Sequence, residues 1–307
     1  MRDLCARDTT QPFIGVVTVL YNSDDVLPDF FRSLAVQTVP NARLRIYVID
    51  NSATASGTKL AGELAEQHGI DAICVFNNHN GGVAAGNNQG ILLAKQDSCT
   101  HVLLANNDTV FPAGTIDGLL TTMQHHDATA VTPKIFVHGP GHILWYGGAS
   151  FNGWTMRIPH FGLGKPDRGQ FDKLTETEYA PTCFMLVTIE VFDRIGMMDE
   201  VYFCYFDDTD FVFRMRKAGG RLIYDPKVTV DHKVSTSTGG NESPFSLFYM
   251  TRNRLYFARK HLRGLELACA LMYVIGTRLI RVLSMPRSKR ERILAGIKAG
   301  LNVPVGH

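Results

Sequence analysis

Acids, amides and one histidine gather at the ends of several apolar runs, where a ligand could be handled. Asn106-Asn107-Asp108 follows the run His101 to Leu104. An Asp and two amides delivered from a strand end into a crevice suit an oxygen-ligated divalent cation, which takes carboxylate, substrate phosphate and water. The same triplet also makes ordinary turns. Phe206-Asp207-Asp208-Thr209-Asp210 opens a helical pattern. Acids in a first helical turn are expected for capping and dipole reasons, and Asp210 can pair with Arg214 one turn later. Asp207 and Asp208 lie about 100° apart around a helix, so one can face a cleft while the other anchors. A carboxylate held against a hydroxyl is a general base. Asp231-His232-Lys233 closes another strand, and His232 reads as structural, as a metal ligand or as a phosphate contact. Arg252 sits in a helical segment and could reach a diphosphate or pair with an acid.

The stretch Asn80-Gly81-Gly82-Val83-Ala84-Ala85-Gly86-Asn87-Asn88-Gln89-Gly90 opens a helix directly after a strand. A helix N-terminus favours phosphate. Neither familiar phosphate loop fits: a dinucleotide fingerprint needs Gly where Val83 stands, and a Walker A loop needs Lys where Asn87 stands. The segment therefore reads as a nucleotide-contacting loop or as a tight turn with close helix–sheet packing.

These residues need a scaffold. Strands are predicted at Phe13 to Leu20, Leu44 to Ile49, Ala72 to Phe76 and His101 to Leu104, alternating with helices at Val26 to Gln37, Thr58 to His68 and Val83 to Lys95. Continuous apolar strands alternating with helices predict an α/β fold whose parallel sheet is covered on both faces. Ligands of such sheets sit outside the carboxyl ends of the strands, where Asn22, Asp50, Asn80 and Asp108 fall. Gly139 to Gln170 reads as irregular strands and loops around a cleft. Ala180 to Gly196 resumes a strand-then-helix pattern. A helix at Phe206 to Ala218, short strands at Arg221 to Tyr224 and Val228 to His232, and helices at Pro244 to Leu262 and Leu265 to Leu283 follow.

Composition excludes a disordered, collagen-like or disulfide-scaffold chain: 45% of the 307 residues are hydrophobic and 20% are charged. The six cysteines form no C-x-x-C pair, which argues against a zinc ribbon or thioredoxin-type chemistry and fits a reducing cytoplasm. The polar start, Met1 to Gln11, lacks an apolar export core. Net charge is +2, yet twelve Lys and Arg against two Glu lie from Arg252 onward. A basic C-terminal region on an acidic body points to an anionic partner. Nucleic acid explains neither the strand-end acids nor the glycine loop, which leaves an anionic membrane surface.

Taken in order, Val17-Thr18-Val19-Leu20-Tyr21-Asn22, Val48-Ile49-Asp50-Asn51, the Asn80 to Gly90 loop, Asn106-Asn107-Asp108, Phe206-Asp207-Asp208, His232 and Arg252-Asn253 resemble the family 2 glycosyltransferases, particularly the bacterial rhamnosyltransferase-like branch. The resemblance runs from about Phe13 to His261. It implies a GT-A fold, a Rossmann-like mostly parallel sheet flanked by helices, here with a C-terminal helical extension. Residues 13–243 would form the catalytic domain, with 13–110 its nucleotide-binding half and 111–243 its acceptor-binding half. Residues 1–12 precede it, and 244–307 carry C-terminal helices and a basic tail. By the same resemblance Asp50 would meet the base, Thr18, Leu20 and Asn22 would line the nucleotide, Gly82 and Gly86 would admit the donor closely, and Asn51, Asn107 and Arg252 would belong to the donor site. Asp108 would match the last acid of the family's Asp-x-Asp metal motif and His232 its late metal-site histidine. Asp208 would match the base of the family's Glu-Asp pair. Asn106 and Asp207 depart from the family's Asp and Glu at those positions.

The implied reaction is inverting transfer of a sugar from a nucleoside-diphosphate sugar to a hydroxyl of a cell-surface glycan or lipid-linked acceptor, assisted by Mg²⁺ or Mn²⁺. The branch implies dTDP-rhamnose; UDP- and GDP-sugars remain alternatives. A non-catalytic sugar-nucleotide-binding protein of the same fold is the competing reading, with Asn106 in its favour. Trp145, Tyr146, Trp154, His160 and Phe161 read as core aromatics or as acceptor-facing groups. Leu265 to Leu283 is too short of uncharged residues to span a bilayer. Arg263, Glu266, Thr277 and Arg281 share one helical face with apolar residues opposite, and Pro286 to Arg292 is basic. This predicts either a peripheral anchor on the inner face of a cell membrane or a packing or oligomer helix with a solvated tail.

Overall fold

The structure, a computed structural model, describes residues 11–233 and 242–306. The polar segment before Gln11, with Cys5, lies outside the described residues. The elements run β1 (Phe13–Leu20), α1 (Leu27–Ala35), β2 (Arg43–Asp50), α2 (Ser56–His68), β3 (Ala72–Phe76), α3 (Gly82–Gln96), β4 (His101–Ala105), β5 (Thr109–Val110), α4 (Thr115–His126), β6 (Ala130–Val137), β7 (Leu144–Tyr146), β8 (Thr175–Glu176), β9 (Phe184–Thr188), α5 (Glu190–Ile195), α6 (Asp207–Lys217), β10 (Leu222–His232), α7 (Pro244–His261), α8 (Gly264–Val282) and α9 (Arg287–Asn302).

The main sheet follows the order β3-β2-β1-β4-β9-β6-β10-β5, with β7 pairing β6 and β8 pairing β10. Strands β3, β2, β1 and β4 are parallel neighbours. Strand β9 runs antiparallel between β4 and β6, and β6 lies parallel to β10. Both sheet faces are buried, as the continuous apolar strands require. On one face Ile14, Val16 and Leu20 pack with Phe30 and Phe31 of α1, Leu64 of α2 and Leu119 of α4. On the other, Val17 and Leu104 pack with Ile91 of α3, Phe192 of α5 and Phe211 of α6. Each such side chain contributes about 1.5–3 kcal/mol by leaving water.

Three local readings change. The two short strands read at 221–232 are one strand, β10, with a register shift between Asp225 and Thr229 that lets it continue past Pro226. Between residues 111 and 138 the sequence reading places no element, yet α4 and β6 lie there. The basic residues after Pro286 sit on helix α9 rather than in a solvated tail. Gly296 and Gly300 bring α9 so close to α7 that an added Cβ would meet Phe248 O at 2.8 Å and Arg252 O at 2.6 Å. Arg259 of α7 also donates to Gly300 O and Val303 O (3.0 and 2.8 Å).

Candidate active site

The carboxyl ends of β1, β2 and β4 meet in one polar network. Asp50 ends β2 fully buried. Its Oδ1 accepts from Ser52 N (2.9 Å), and its Oδ2 accepts from Thr58 N and Thr58 Oγ1 (both 2.8 Å). Its carboxylate therefore anchors the turn into α2. Asn51 donates to Gly82 O (3.0 Å) and accepts from Asn77 (2.8 Å), tying α3 to the ends of β2 and β3. Asn22, at φ 50°, is exposed and donates its backbone N–H to Ser52 Oγ (2.9 Å). Thr18 is fully buried, and among the described residues its Oγ1 has no hydrogen-bond partner. The side chain of Leu20 belongs to the core, so only its backbone can face a ligand.

Gly82 and Gly86 meet protein where a Cβ would project. At Gly82 (φ +87°) it would lie 2.3 Å from Phe203 O, and at Gly86 2.7 Å from Val19 Cγ1. Gly90 does the same against Val17. On that side the small residues serve close packing of α3 on β1 and on the loop that carries the acids.

After β4, Asn106 is exposed, whereas Asn107 and Asp108 are buried. Asn107 donates to Val19 O (2.8 Å) and Ser23 Oγ (3.1 Å), which pins the turn to β1. Asp108 Oδ1 lies 3.1 Å from His232 Nε2, and Lys233 N donates to Asp108 O (2.9 Å). A carboxylate oxygen beside an imidazole nitrogen is a donor pair suited to Mn²⁺ or Mg²⁺. Among the described residues no set of three His, Cys, Asp or Glu side chains forms a metal site. The pair therefore fits a cation that takes its other ligands from a diphosphate and water.

Across the site, Asp207 and Asp208 open α6. The loop before them is strained: Phe203, Tyr205 and Phe206 have φ of 63°, 61° and 67°, a backbone region costing about 1–3 kcal/mol per non-glycine residue. Asn253 of α7 holds it, with Nδ2 within hydrogen-bond reach of Tyr202 O, Cys204 O and Tyr205 O (2.7–2.9 Å). Val83 N donates to Phe203 O (2.6 Å). Arg252 pairs with no acid among the described residues. It donates instead to Val201 O (2.7 Å) and Asn253 Oδ1 (2.9 Å). Asn253→Ala should therefore lower kcat by at least about tenfold while changing the donor Kd little, because a strained loop released by about 1–3 kcal/mol per lost buried bond lets the acids drift. Steady-state kinetics beside calorimetric donor binding checks this split.

Asp207 is buried, and Asp208 is the more accessible of the two. Burial, then the charge of Asp208, pushes Asp207 well above the ordinary carboxylate range. Burial also raises Asp208, against hydrogen bonds from Tyr179 and Thr209 that favour its charged form. Two neighbouring carboxylates with raised pKa values share protons rather than ionising together. Asp208 accepts from the Tyr179 hydroxyl and from Thr209 N (2.6 Å). Asp210 differs. Although burial alone would raise it, bonds and charges from His261, Arg214 and Lys260 hold it well below the ordinary range. It anchors α6 to α7 through Lys260 and His261, and within α6 it makes the Arg214 pair read from the sequence (2.7 Å).

A row of rings joins the two acidic centres. His232 lies edge-on to Trp145 (4.7 Å), Trp145 to His160 (5.1 Å), and His160 stacks on Tyr179 (5.6 Å), which reaches Asp208. Beneath them the Cys183 thiol is pushed up by burial and then by the charges of both Asp108 and Asp208. The two carboxylates therefore face one neighbourhood. Tyr179 is a residue the sequence reading missed, since it lies in an irregular loop with no periodic signal. Of the aromatics read from the sequence, Tyr146 is core, Trp145 and His160 are half-buried in the row, and Trp154 and Phe161 are exposed.

Residues 11–258 match the family described as Glycosyltransferase like family 2. The chain belongs to that family. Its fold is GT-A. The mannosyltransferase PcManGT of Pyrobaculum calidifontis, solved with GDP-Man and Mn²⁺, superposes with a TM-score of 0.57 at 15% identity, covering 97% of this chain and 83% of that one. The Haloferax volcanii low-salt glycan biosynthesis hexosyltransferase Agl10 is 23% identical over 243 residues, covering 78% of this chain and 74% of the relative. The Mycobacterium tuberculosis N-acetylglucosaminyl-diphospho-decaprenol L-rhamnosyltransferase is 31% identical over 177 residues, 52% of this chain and 55% of its own length. The chain is thus a glycosyltransferase.

Proposed function

We propose that this family 2 glycosyltransferase moves rhamnose from dTDP-rhamnose, with inversion, onto a hydroxyl of a lipid-linked glycan intermediate of the cell envelope. The observation that carries the reading is the row of rings, Trp145, His160 and Tyr179, that joins a cation-suited pair, Asp108 and His232, to a base-suited pair, Asp207 and Asp208. The printed names of two relatives support the sugar, the mycobacterial L-rhamnosyltransferase and the Shigella flexneri dTDP-rhamnosyl transferase RfbF, 24% identical over 223 residues.

In this reading the ends of β1 and β2 frame the nucleotide. Asn22, Asn51 and the backbone at Thr18 and Leu20 face it, and Asp50 and Asn107 hold those turns in place. Gly82 and Gly86 let α3 and the acid-bearing loop close around the donor, with Arg252 fastening that loop. Asp208 accepts the proton of the acceptor hydroxyl as it attacks the anomeric carbon from the face opposite the departing diphosphate. Burial pushes Asp207 up, and the hydrogen bonds of Tyr179 and Thr209 favour the charged form of Asp208, so Asp208 is the partner suited to carry the charge. Tyr179 and Thr209 orient its oxygens. A Mg²⁺ or Mn²⁺ ion held by Asp108 and His232 would neutralise the charge that develops on the leaving diphosphate. A donor panel with Mn²⁺ tests the assignment: dTDP-rhamnose should give the largest thermal shift and the fastest hydrolysis, and preference for a UDP- or GDP-sugar would overturn it.

The enzyme works on a membrane surface in this proposal. Among the described residues no helix is long and apolar enough to cross a membrane. Yet Leu265, Met272, Leu279 and Ile280 of α8, and Leu283 just after it, are 46–80% exposed, whereas the face packed on the protein carries Ala270, Val274, Arg278 and Val282. The apolar stripe read from the sequence thus points largely outward. Exposed Arg287, Arg290 and Arg292 of α9 follow it, a charge pattern suited to anionic lipid. Met272→Glu with Leu279→Glu should lower co-sedimentation with anionic phosphatidylglycerol vesicles at least about tenfold. Unchanged sedimentation would exclude this face, and loss of a dimer in the variant would assign it to a second copy of the chain.

A further inference from the structure

Three arginines lie together beyond the loop that carries the base: Arg157, Arg254 of α7 and Arg278 of α8. Among the described residues none of their side chains makes an ion pair or a hydrogen bond, and the Nε atoms of Arg254 and Arg278 are buried without a partner. Arg278 is 7% exposed. The Arg254 guanidinium lies 5.6 Å from the ring centroid of Phe206, the residue before Asp207. Burial, then the charges of Arg278 and Arg157, lowers Arg254 to about 10, and Tyr273 is the one group that raises it. Burial, then Arg281, lowers Arg278. Among the described residues no carboxylate is among the groups acting on either.

Buried like charges with no counter-ion are costly. The guanidinium fork matches phosphate oxygens. The surrounding order is specific: the base pair on one side at Phe206, and on the other side helix α8, whose outer face is the exposed apolar stripe. Neither Asp108 nor His232, the centre assigned to the donor's diphosphate, is among the groups acting on these arginines. We propose that Arg157, Arg254 and Arg278 form a second anion subsite that holds the phosphate or diphosphate of the acceptor, placing its sugar at Asp208 and its hydrocarbon along α8. This rests on the transferase reading above and adds the acceptor class to it: a sugar joined to lipid through phosphate.

The shared chemistry is a phosphate dianion or diphosphate, and its source is either acceptor or donor. Inorganic pyrophosphate in EDTA probes the subsite without the cation and without any transfer reaction. The intact chain should bind it and unfold at a higher temperature. Arg278→Gln should weaken binding at least tenfold, whereas Asp108→Ala should not. Arg278→Gln should also raise the melting temperature in anion-free buffer, since it removes a buried unpaired charge. A purely structural arginine would lower it. A second variant, Arg254→Gln, guards against a fold defect at one position. With Mn²⁺ and a working donor, Arg278→Gln should raise the KM of a lipid-diphosphate acceptor at least tenfold and leave that of the same sugar without phosphate. Pyrophosphate binding that survives both arginine variants would overturn the subsite. A raised donor KM with an unchanged acceptor KM would assign it to the donor and overturn the acceptor claim. If no donor supports transfer, the transferase reading fails while the pyrophosphate result still stands or falls alone.

Discussion

Asp208→Asn is expected to cut turnover by about 10²–10⁴-fold, the range of a positioned general base, while donor and Mn²⁺ binding persist. The asparagine keeps one oxygen, which can still accept from Thr209 N, and its NH2 can donate to the Tyr179 hydroxyl oxygen, but it cannot take a proton from the acceptor. The pH profile carries the same logic with a definite sign. The base works as the carboxylate, and its pKa is raised by burial. Activity should therefore fall as pH drops through a value above the ordinary carboxylate pKa of about 3.9. The Tyr179 hydroxyl favours the charged form, so Tyr179→Phe should move this acidic limb to still higher pH. An acidic limb unmoved by Tyr179→Phe, with near-normal turnover of Asp208→Asn, would take the base role away from Asp208.

Asp108→Ala is the second large effect. It removes one of the two side chains available to a cation and leaves His232 without its neighbour at 3.1 Å. Stabilisation of charge on a leaving diphosphate is worth several kcal/mol, so kcat/KM should fall by about three orders of magnitude or more. Calorimetric titration should show donor affinity that no longer depends on Mn²⁺. Because the network of Asp50, Asn51 and Asn107 lies on other side chains, the nucleotide alone should still bind. A variant whose donor affinity keeps its full Mn²⁺ dependence would place the cation elsewhere.

The repeating strand–helix part of the fold was legible because each strand there is a continuous apolar run: β1 and β3 fall where the residues place them, and α2 begins only two residues earlier. Helix α4 and strand β6 escaped notice because Thr115–His126 mixes polar residues into its buried face, Thr115 and Thr122 among them. Strand β10 was divided because Pro226 interrupts it, and a register shift absorbs the proline. Within the site, acids and His232 could be found from their places at strand and helix ends. What they do locally could not. Asp50 spends its oxygens on Ser52 and Thr58, and the glycines of α3 meet Val17, Val19 and Phe203 across gaps that only tertiary packing defines. Tyr179 and the arginine cluster assemble from segments far apart in the chain, and no spacing rule links them. Helix α8 was read as amphipathic, and it is; its apolar side faces largely away from the protein and its inner side buries an arginine, an inversion that periodicity alone does not reveal.

The central claim is that Asp108 and Asp208 serve one substrate from opposite sides. The most direct measurement is a crystal structure of the enzyme with Mn²⁺ and a non-hydrolysable dTDP-sugar, with the ion located by anomalous scattering. The account predicts the ion at Asp108 and His232, the diphosphate upon it, and the anomeric carbon facing Asp208. An ion bound away from Asp108, or a sugar whose anomeric carbon has Asp208 on the same side as the diphosphate, would contradict it.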